Sequence, residues 1–146
     1  MPTKPPHAHV VPRAKRILGP MASFTLVDAL RPEELAALRH CPDYGQLIGV
    51  YRNPGPSDEI LLVTDAGVAV QIDQHCAFVP FCDVSKLRIS SPGSTNLIDT
   101  LEKNRADAIL IEMRNGQQRF IPVRGGKGNF RDVFEFCRFF LRAVGQ

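Results

Sequence analysis

The 146-residue sequence contains no tryptophan, and no apolar run in it approaches the roughly 20 residues that a membrane-spanning helix needs. Its four cysteines, Cys41, Cys76, Cys82 and Cys137, form no C-x-x-C pair. We expect them to be reduced and to pack as small apolar side chains, as in a cytosolic protein. Hydrophobic residues make up 44% and charged residues 23% of the chain, which is typical of one globular domain with its own core.

Acidic residues are missing from the first twenty positions, which hold Lys4, Arg13, Lys15 and Arg16. The remainder has 14 basic and 15 acidic residues, so the net charge of +3 comes from this segment. Because the segment is rich in proline and lacks a long apolar stretch, it predicts a disordered basic tail over residues 1–20 and is a poor secretory signal. Met21 is a candidate natural start, and we expect a cytoplasmic location.

A short helix is predicted in RPEELAALRHCP, within an N-terminal segment that covers residues 21–43. Pro32 suits the first helical position, and Glu33 and Glu34 favour the positive end of the helix dipole in the first turn. Pro42 is expected to end the helix.

A mainly β domain is predicted over residues 44–146, because short β-rich runs follow one another: GQLIGVYR, EILLVTDAGVAVQI and AFVPFCDVSKLRIS. The second run is split by TDAG, whose glycine suits a positive φ, and the third is expected to kink near Pro80. In ADAILIEMRNGQQRFIPV, Asn115–Gly116 predicts a two-residue hairpin turn. Alternation places Ile109, Ile111 and Met113 on one face, which we assign to the core.

The last segment, NFRDVFEFCRFFLRAV, predicts an amphipathic helix with Asn129 as its N-cap. Its main apolar stripe consists of Phe130, Val133, Phe134, Cys137, Leu141 and Val144. Phe136, Phe139 and Ala143 widen the apolar arc beyond what one sheet covers. These three residues therefore need a second partner, either the N-terminal helix or another molecule, and they are the candidate interface.

The order of these patterns resembles the pleckstrin-homology-like (PH-like) family, in its bacterial type. EILLVTDAGVAVQI is similar to that family's second hairpin, FVPFCDVSKLRIS to its fourth strand, and the Asn-Gly hairpin with NFRDVFEFCRFFLRAV to its final strands and closing helix. The resemblance covers about residues 44–144. It implies an antiparallel barrel of about seven strands closed by the C-terminal helix, with a short N-terminal helix added here.

Two departures from the PH pattern weaken the lipid-binding role that the resemblance would bring. Many eukaryotic PH domains carry a tryptophan in the final helix, and this chain has none. Their lipid site uses several basic residues around the first hairpin loop. In the matching loop, RNPGPSDE, Arg52 stands alone against Asp58 and Glu59.

The glycine-rich stretch RGGKGNFRD, residues 124–132, has two interpretations. Backbone amides at the start of the helix favour an anion, with Arg124, Lys127, Gly128 and Arg131 as candidate ligands. The stretch is not a Walker A loop, because Gly128 and Asn129 follow Lys127 where Ser or Thr is required. We expect it to be a tight strand-to-helix turn.

Two His-Cys pairs, His40–Cys41 and His75–Cys76, contain the ligand types of a zinc site, and the sequence does not indicate whether they meet. Neighbouring side chains on a strand or helix diverge, so each pair chelates poorly and we expect no metal. Cys82 and His75 are conceivable partners in a catalytic pair, but no orienting motif accompanies them. We expect no catalytic residues and no cofactor.

The sequence thus predicts a non-enzymatic PH-like interaction module that binds a protein partner, or self-associates, through the C-terminal helix. The alternative is an anion or phospholipid membrane-surface binder that uses loop 124–131 and the basic N-terminal tail. Nucleic acid is not expected as a partner, because Glu135 lies among Arg131, Arg138 and Arg142 and favours ion pairs along the helix.

Overall fold

A computed structural model describes residues 10–38, 42–54, 59–72, 75–90, 108–125 and 132–144. The helices are α1 (Val10–Ile17), α2 (Pro32–Ala36) and α3 (Asp132–Ala143), and short 3-10 turns cover Val27–Ala29, Pro42–Tyr44 and Phe81–Asp83. The strands are β1 (Phe24–Leu26), β2 (Leu47–Arg52), β3 (Glu59–Thr64), β4 (Gly67–Ile72), β5 (His75–Pro80), β6 (Val84–Ser90), β7 (Ala108–Met113) and β8 (Gln118–Pro122).

The strands form two antiparallel sheets, one with the order β1-β2-β3-β4-β5 and one with the order β6-β7-β8. Within each sheet, every strand pairs with its neighbour in the sequence, and α3 follows the second sheet. The predicted α+β, mainly β class is therefore confirmed. In the described part of the chain no strand of one sheet pairs with a strand of the other, so the two sheets do not form a closed barrel. None of the helices in the same part has the length and apolar character to cross a membrane.

The turn between β3 and β4 is held by the Thr64 hydroxyl, which accepts hydrogen bonds from the backbone N–H groups of Ala66 and Gly67 at 3.1 and 3.0 Å. Gly67 does not have the positive φ that we predicted. It is a glycine because β5 passes close by: a Cβ at this position would lie 2.3 Å from the carbonyl oxygen of Val79.

The hairpin between β7 and β8 is confirmed, but its turn is longer than the predicted two residues. The Gly116 N–H donates to the Met113 carbonyl, and the Met113 N–H donates to the Gln117 carbonyl, so residues 114–116 form the loop. Gly116 has a φ of 87°, as a three-residue turn with a glycine bulge requires. Ile109, Ile111 and Met113 lie on the core face as predicted.

Residues 10–20 are ordered, so the predicted disordered tail is wrong for this part of the segment; residues 1–9 lie outside the described residues. Val10, Ala14 and Leu18 follow one another at four-residue spacing and are fully buried in the core. Pro12 is compatible with α1 because the first turn of a helix has no internal partner for its N–H groups. The polar residues and prolines of this segment concealed α1 in the sequence, because only about one residue in each helical turn is fully buried.

Helix α2 begins at Pro32 as predicted, and the Arg31 N–H donates to the Glu34 carboxylate at 3.1 Å. That hydrogen bond holds the pKa of Glu34 below its usual range. The helix ends at Ala36, earlier than the sequence suggested.

The buried face of α3 matches its predicted stripe only in part: Val133 and Cys137 are buried, Phe134, Leu141 and Val144 are half-buried, and Phe130 lies outside the described residues. Phe136, Phe139 and Phe140 are fully buried, and the ring of Phe81 packs edge-on against Phe139 and Phe140 with centroid distances of 6.0 and 5.1 Å. Ala143 is half-buried. The candidate interface of Phe136, Phe139 and Ala143 is therefore wrong as an exposed surface, because α1 packs beside α3 and is the second partner that these residues need.

We predict that Leu18→Ala lowers the free energy of unfolding by about 2–5 kcal/mol, since it removes a fully buried side chain and leaves a cavity. Urea denaturation followed by circular dichroism measures this change. Arg16→Ala, two residues away on the exposed side of α1, is the control and should change stability by less than about 0.5 kcal/mol. Equal stability of Leu18→Ala and wild type would contradict the docking of α1.

Candidate functional site

The outer face of the β6-β7-β8 sheet carries polar and aromatic side chains in two rows. Register pairs place Arg88, Leu110 and Phe120 side by side across the sheet. Two residues further along, Lys86, Glu112 and Gln118 form the second row. The rows arise because side chains alternate between the two faces of each strand, and the intervening residues Ile109, Ile111 and Ile121 fill the core.

A groove with a volume of about 360 Å³ runs along this face and is lined by Lys86, Leu87, Arg88, Leu110, Glu112 and Gln118. Leu110 is only 9% exposed, whereas the ring of Phe120 beside it is 60% exposed. Phe120 is the most exposed large apolar side chain in the described part of the chain. The exposed Phe120 ring therefore lies beside a groove that carries charged groups on β6 and β7.

The charges in the groove are open to a ligand. Lys86 and Glu112 face each other in the register of β6 and β7, yet neither they nor Arg88 make an ion pair within the described residues. In the same part of the chain β6 and β8 each pair with β7 alone, so each has an outer edge with no described strand on it. Unpaired strand edges are templates for another extended segment.

Of the predicted anion ligands, only Arg124 lies within the described residues; Lys127, Gly128 and Arg131 lie outside them. The Arg124 guanidinium contacts the Glu59 carboxylate through two hydrogen bonds of 2.7 and 3.1 Å. Its backbone N–H donates to the Asn53 side chain at 2.6 Å, and Asn53 in turn donates to the Pro122 carbonyl at 2.8 Å. Arg124 thus ties the end of β8 to β3, and its charge is matched by a carboxylate of this chain.

Gly125 has a structural reason to be glycine. A Cβ at this position would lie 2.4 Å from the Tyr51 hydroxyl and 2.6 Å from the Asp132 carboxylate. The Gly125 N–H donates to the Tyr51 hydroxyl at 2.9 Å, and that hydroxyl donates to Asp132 at 2.8 Å. The first glycine of RGGKGNFRD is therefore required for close packing against the buried Tyr51.

Tyr51 is fully buried in β2 and joins that strand to the first turn of α3 through Asp132. Burial raises the pKa of the Tyr51 phenol above its ordinary value near 10, and the hydrogen bond to Asp132 adds to the rise. The neutral hydroxyl is therefore the form that the fold stabilises.

The zinc and catalytic candidates are not assembled by the described part of the chain. His75 is exposed and Cys76 half-buried at the start of β5, and His40 and Cys41 lie outside the described residues. No group of three or more histidine, cysteine or acidic side chains suited to a metal occurs among the described residues. Cys82 follows the far end of β5, so the length of a strand, ~20 Å at about 3.3 Å per residue, separates it from His75. Burial raises the pKa of Cys137 to about 11, which keeps this thiol inert.

Lys86, Arg88 and Phe120 were not expected from the sequence to lie at the candidate site. A signal was present, because Lys86 and Arg88 alternate with Leu87 and Ile89, and Phe120 precedes the core residue Ile121 by one position. Period-two alternation places all three side chains on the face away from the core.

Comparisons of the chain with protein-family models, with curated proteins and with solved structures find no match. The class of protein therefore rests on the structure itself: an α+β, mainly β chain with two antiparallel sheets and a C-terminal helix.

We predict that Tyr51→Phe lowers the free energy of unfolding by about 1–3 kcal/mol near neutral pH, because Asp132 and the Gly125 N–H lose their partner. A second effect appears in alkali. The folded-state pKa of Tyr51 lies above the unfolded value, so this contribution to stability is complete below pH 10 and falls above it, by about 1.4 kcal/mol per pH unit.

Urea denaturation at a series of pH values between 8 and 11 tests both effects. Wild type should lose stability above pH 10 more steeply than Tyr51→Phe, since the variant lacks the titrating hydroxyl. Parallel curves for the two proteins would show that Tyr51 is not protonated preferentially in the folded state.

Proposed function

We propose that this chain is a non-enzymatic, PH-like interaction module that binds an extended segment of a protein partner in the groove on the outer face of β6-β7-β8. The observation that carries the proposal is Phe120, an aromatic ring 60% exposed beside a groove of about 360 Å³. Exposed aromatic side chains next to charged groups are typical anchors of protein interfaces.

The order of elements supports the PH-like assignment. Strands β2 to β8 follow one another as antiparallel neighbours in two sheets, with four strands in the first sheet, three in the second and a helix after the last. That helix buries Phe136, Phe139 and Phe140 in the core, as a closing helix does. β1 and α1 are additions at the N-terminal side.

An extended partner fits this face because its own side chains alternate with the same period as the rows in the groove. The Arg88 row and the Lys86 row are two residues apart along the strands, about 6.6–7 Å. A partner segment with an apolar side chain over Phe120 and acidic side chains two residues apart would meet Arg88 and Lys86. Covering the Phe120 ring would contribute about 1.5–3 kcal/mol.

The proposed partner site therefore lies on the second sheet, whereas the sequence had suggested the C-terminal helix. The helix cannot supply the interface through Phe136 and Phe139, which are fully buried. The sheet face has an exposed aromatic ring, charges without ion pairs among the described residues and two strand edges. In this proposal the protein partner is either a different protein or a second copy of this chain.

We predict that Phe120→Ser raises the Kd of peptides selected against the wild-type protein from a displayed library of random extended segments by tenfold or more. Fluorescence anisotropy measures the change. Leu35→Ser is the matched control, because it removes another exposed apolar side chain, 40% exposed, from the separate helix α2. The control should leave Kd within twofold of wild type.

Charge reversal at Lys86 and Arg88 should weaken the same peptides and reduce the salt dependence of binding, because the acidic side chains lose their partners. If the partner is a second copy, sedimentation will give a dimer for wild type and a monomer for Phe120→Ser. Selected peptides that bind Phe120→Ser and wild type equally would refute a site in this groove.

A further inference from the structure

Helices α1 and α3 lie side by side and antiparallel. At one end, the Arg13 guanidinium donates a hydrogen bond of 3.2 Å to the carbonyl of Arg142, near the C-terminus of α3. At the other end, Arg16 and Ile17 of α1 share a cavity with Asp132, Glu135 and Arg138, at the start and middle of α3. Arg13 and Arg16 of α1 are therefore fixed next to the basic face of the last helix.

Arginine dominates the surface that results, which we term the α1–α3 face. It carries Arg13, Arg16, Arg138 and Arg142, and its acidic groups are Asp132 and Glu135. Asp132, at the edge of the cavity, accepts the hydrogen bond of Tyr51. Glu135 contacts Arg138 at 3.7 Å with both side chains more than half exposed, an ion pair too long and too solvated to neutralise the face. Four arginines against the carboxylates of Asp132 and Glu135 leave the face with an excess of two positive charges.

The cavity between the two helices has a volume of about 420 Å³ and is partly apolar. Ile17, Pro20 and Met21 line it on the side of α1, and Arg16 and Arg138 also line it. Ile17 and Met21 are half-buried and Pro20 is exposed, so an incoming apolar side chain could contact all three. The α1–α3 face thus offers cations around an apolar recess.

From this geometry we infer that the α1–α3 face is a second docking site, for an acidic amphipathic helix of a protein partner. The carboxylates of that helix pair with Arg13, Arg16, Arg138 and Arg142, and one apolar side chain enters the recess. Arginine suits this role because its planar guanidinium binds a carboxylate through two parallel hydrogen bonds. An amphipathic helix binds such a surface by placing its apolar face in the apolar recess.

The same features favour an acidic protein over other polyanions. Glu135 lies within the face, where it repels the evenly spaced phosphates of a nucleic acid, while separate carboxylates can be placed on either side of it. The apolar recess has no counterpart in a sugar-phosphate backbone. This site is independent of the sheet groove, because it shares no residue with it.

The probe for a test is a fluorescein-labelled 16-residue peptide of four Glu-Leu-Glu-Glu repeats, titrated with the full chain and followed by anisotropy at 50 and 300 mM salt. Wild type should bind it, with a Kd that rises at least fivefold at the higher salt. Replacing every leucine of the peptide by serine should weaken binding at least fivefold, because the recess then stays empty. Failure of wild type to bind the leucine peptide at 50 mM salt would overturn the proposal.

Arg16→Glu/Arg138→Glu is the decisive variant, and Arg31→Glu/Arg114→Glu is its control, because it makes the same change in net charge at two exposed arginines that belong to neither proposed docking site. Arg16→Gln/Arg138→Gln serves if the first variant does not fold. The proposal expects a loss of affinity of tenfold or more for the α1–α3 variants and less than twofold for the control. Equal losses in both would show that the peptide responds only to total charge.

Vesicles containing 30% anionic lipid and a 20-base-pair DNA duplex are measured in parallel with the same variants. Weak binding of both, or binding unaffected by Arg16→Glu/Arg138→Glu, supports a protein partner at this face. Binding of either that is tighter than binding of the peptide and is lost in that variant would reassign the face to a membrane surface or to nucleic acid. Because the sheet groove is intact in the α1–α3 variants, this experiment leaves the proposed function of the groove untouched.

Discussion

The aromatic cluster around α3 is the interaction on which the rest of this structure depends. Phe136, Phe139 and Phe140 are fully buried, and Phe81, from the turn that joins the two sheets, meets two of these rings edge-on. Each buried ring contributes about 1.5–3 kcal/mol. These rings, together with the half-buried Phe134 and Leu141, spread over more than half of the helix circumference at about 100° per residue. Helix α3 therefore needs cover on two sides. The sheets supply one and α1 supplies the other.

Because α3 is covered by the sheets on one side and by α1 on the other, its packing determines which surfaces of the molecule stay exposed. With Phe136, Phe139 and Phe140 enclosed, the exposed residues of α3 are Glu135, Arg138 and Arg142, and α1 adds its own arginines beside them. The second sheet uses its inner face for the core, so Phe120 and its charged neighbours are left on the outer face. Both proposed docking surfaces are thus consequences of how the core is filled.

Local patterns predicted most of the strands, because alternation and turn residues act over a few positions along the chain. Thr64 and Gly116 stand where hairpin turns require them, and both hairpins form. α1 was missed because prolines and arginines conceal a stripe of only Val10, Ala14 and Leu18. An isolated helix of eight residues is unstable in water, so nothing in its own composition predicts it. The proposed docking surface at Phe120 was missed for a related reason, since exposure depends on which face of the sheet meets the core.

The sequence by itself determined the fold class, the antiparallel order of strands and the position of the last helix, since these follow from periodicity and turn chemistry. Only the tertiary structure decided which phenylalanines are core, why Gly125 is glycine and where the N-terminal charges lie. Those outcomes rest on contacts between residues far apart in the chain, such as Tyr51 with Asp132 and Arg13 with Arg142. Local propensity carries no information about such contacts, because their free energy exists only when the elements have packed together.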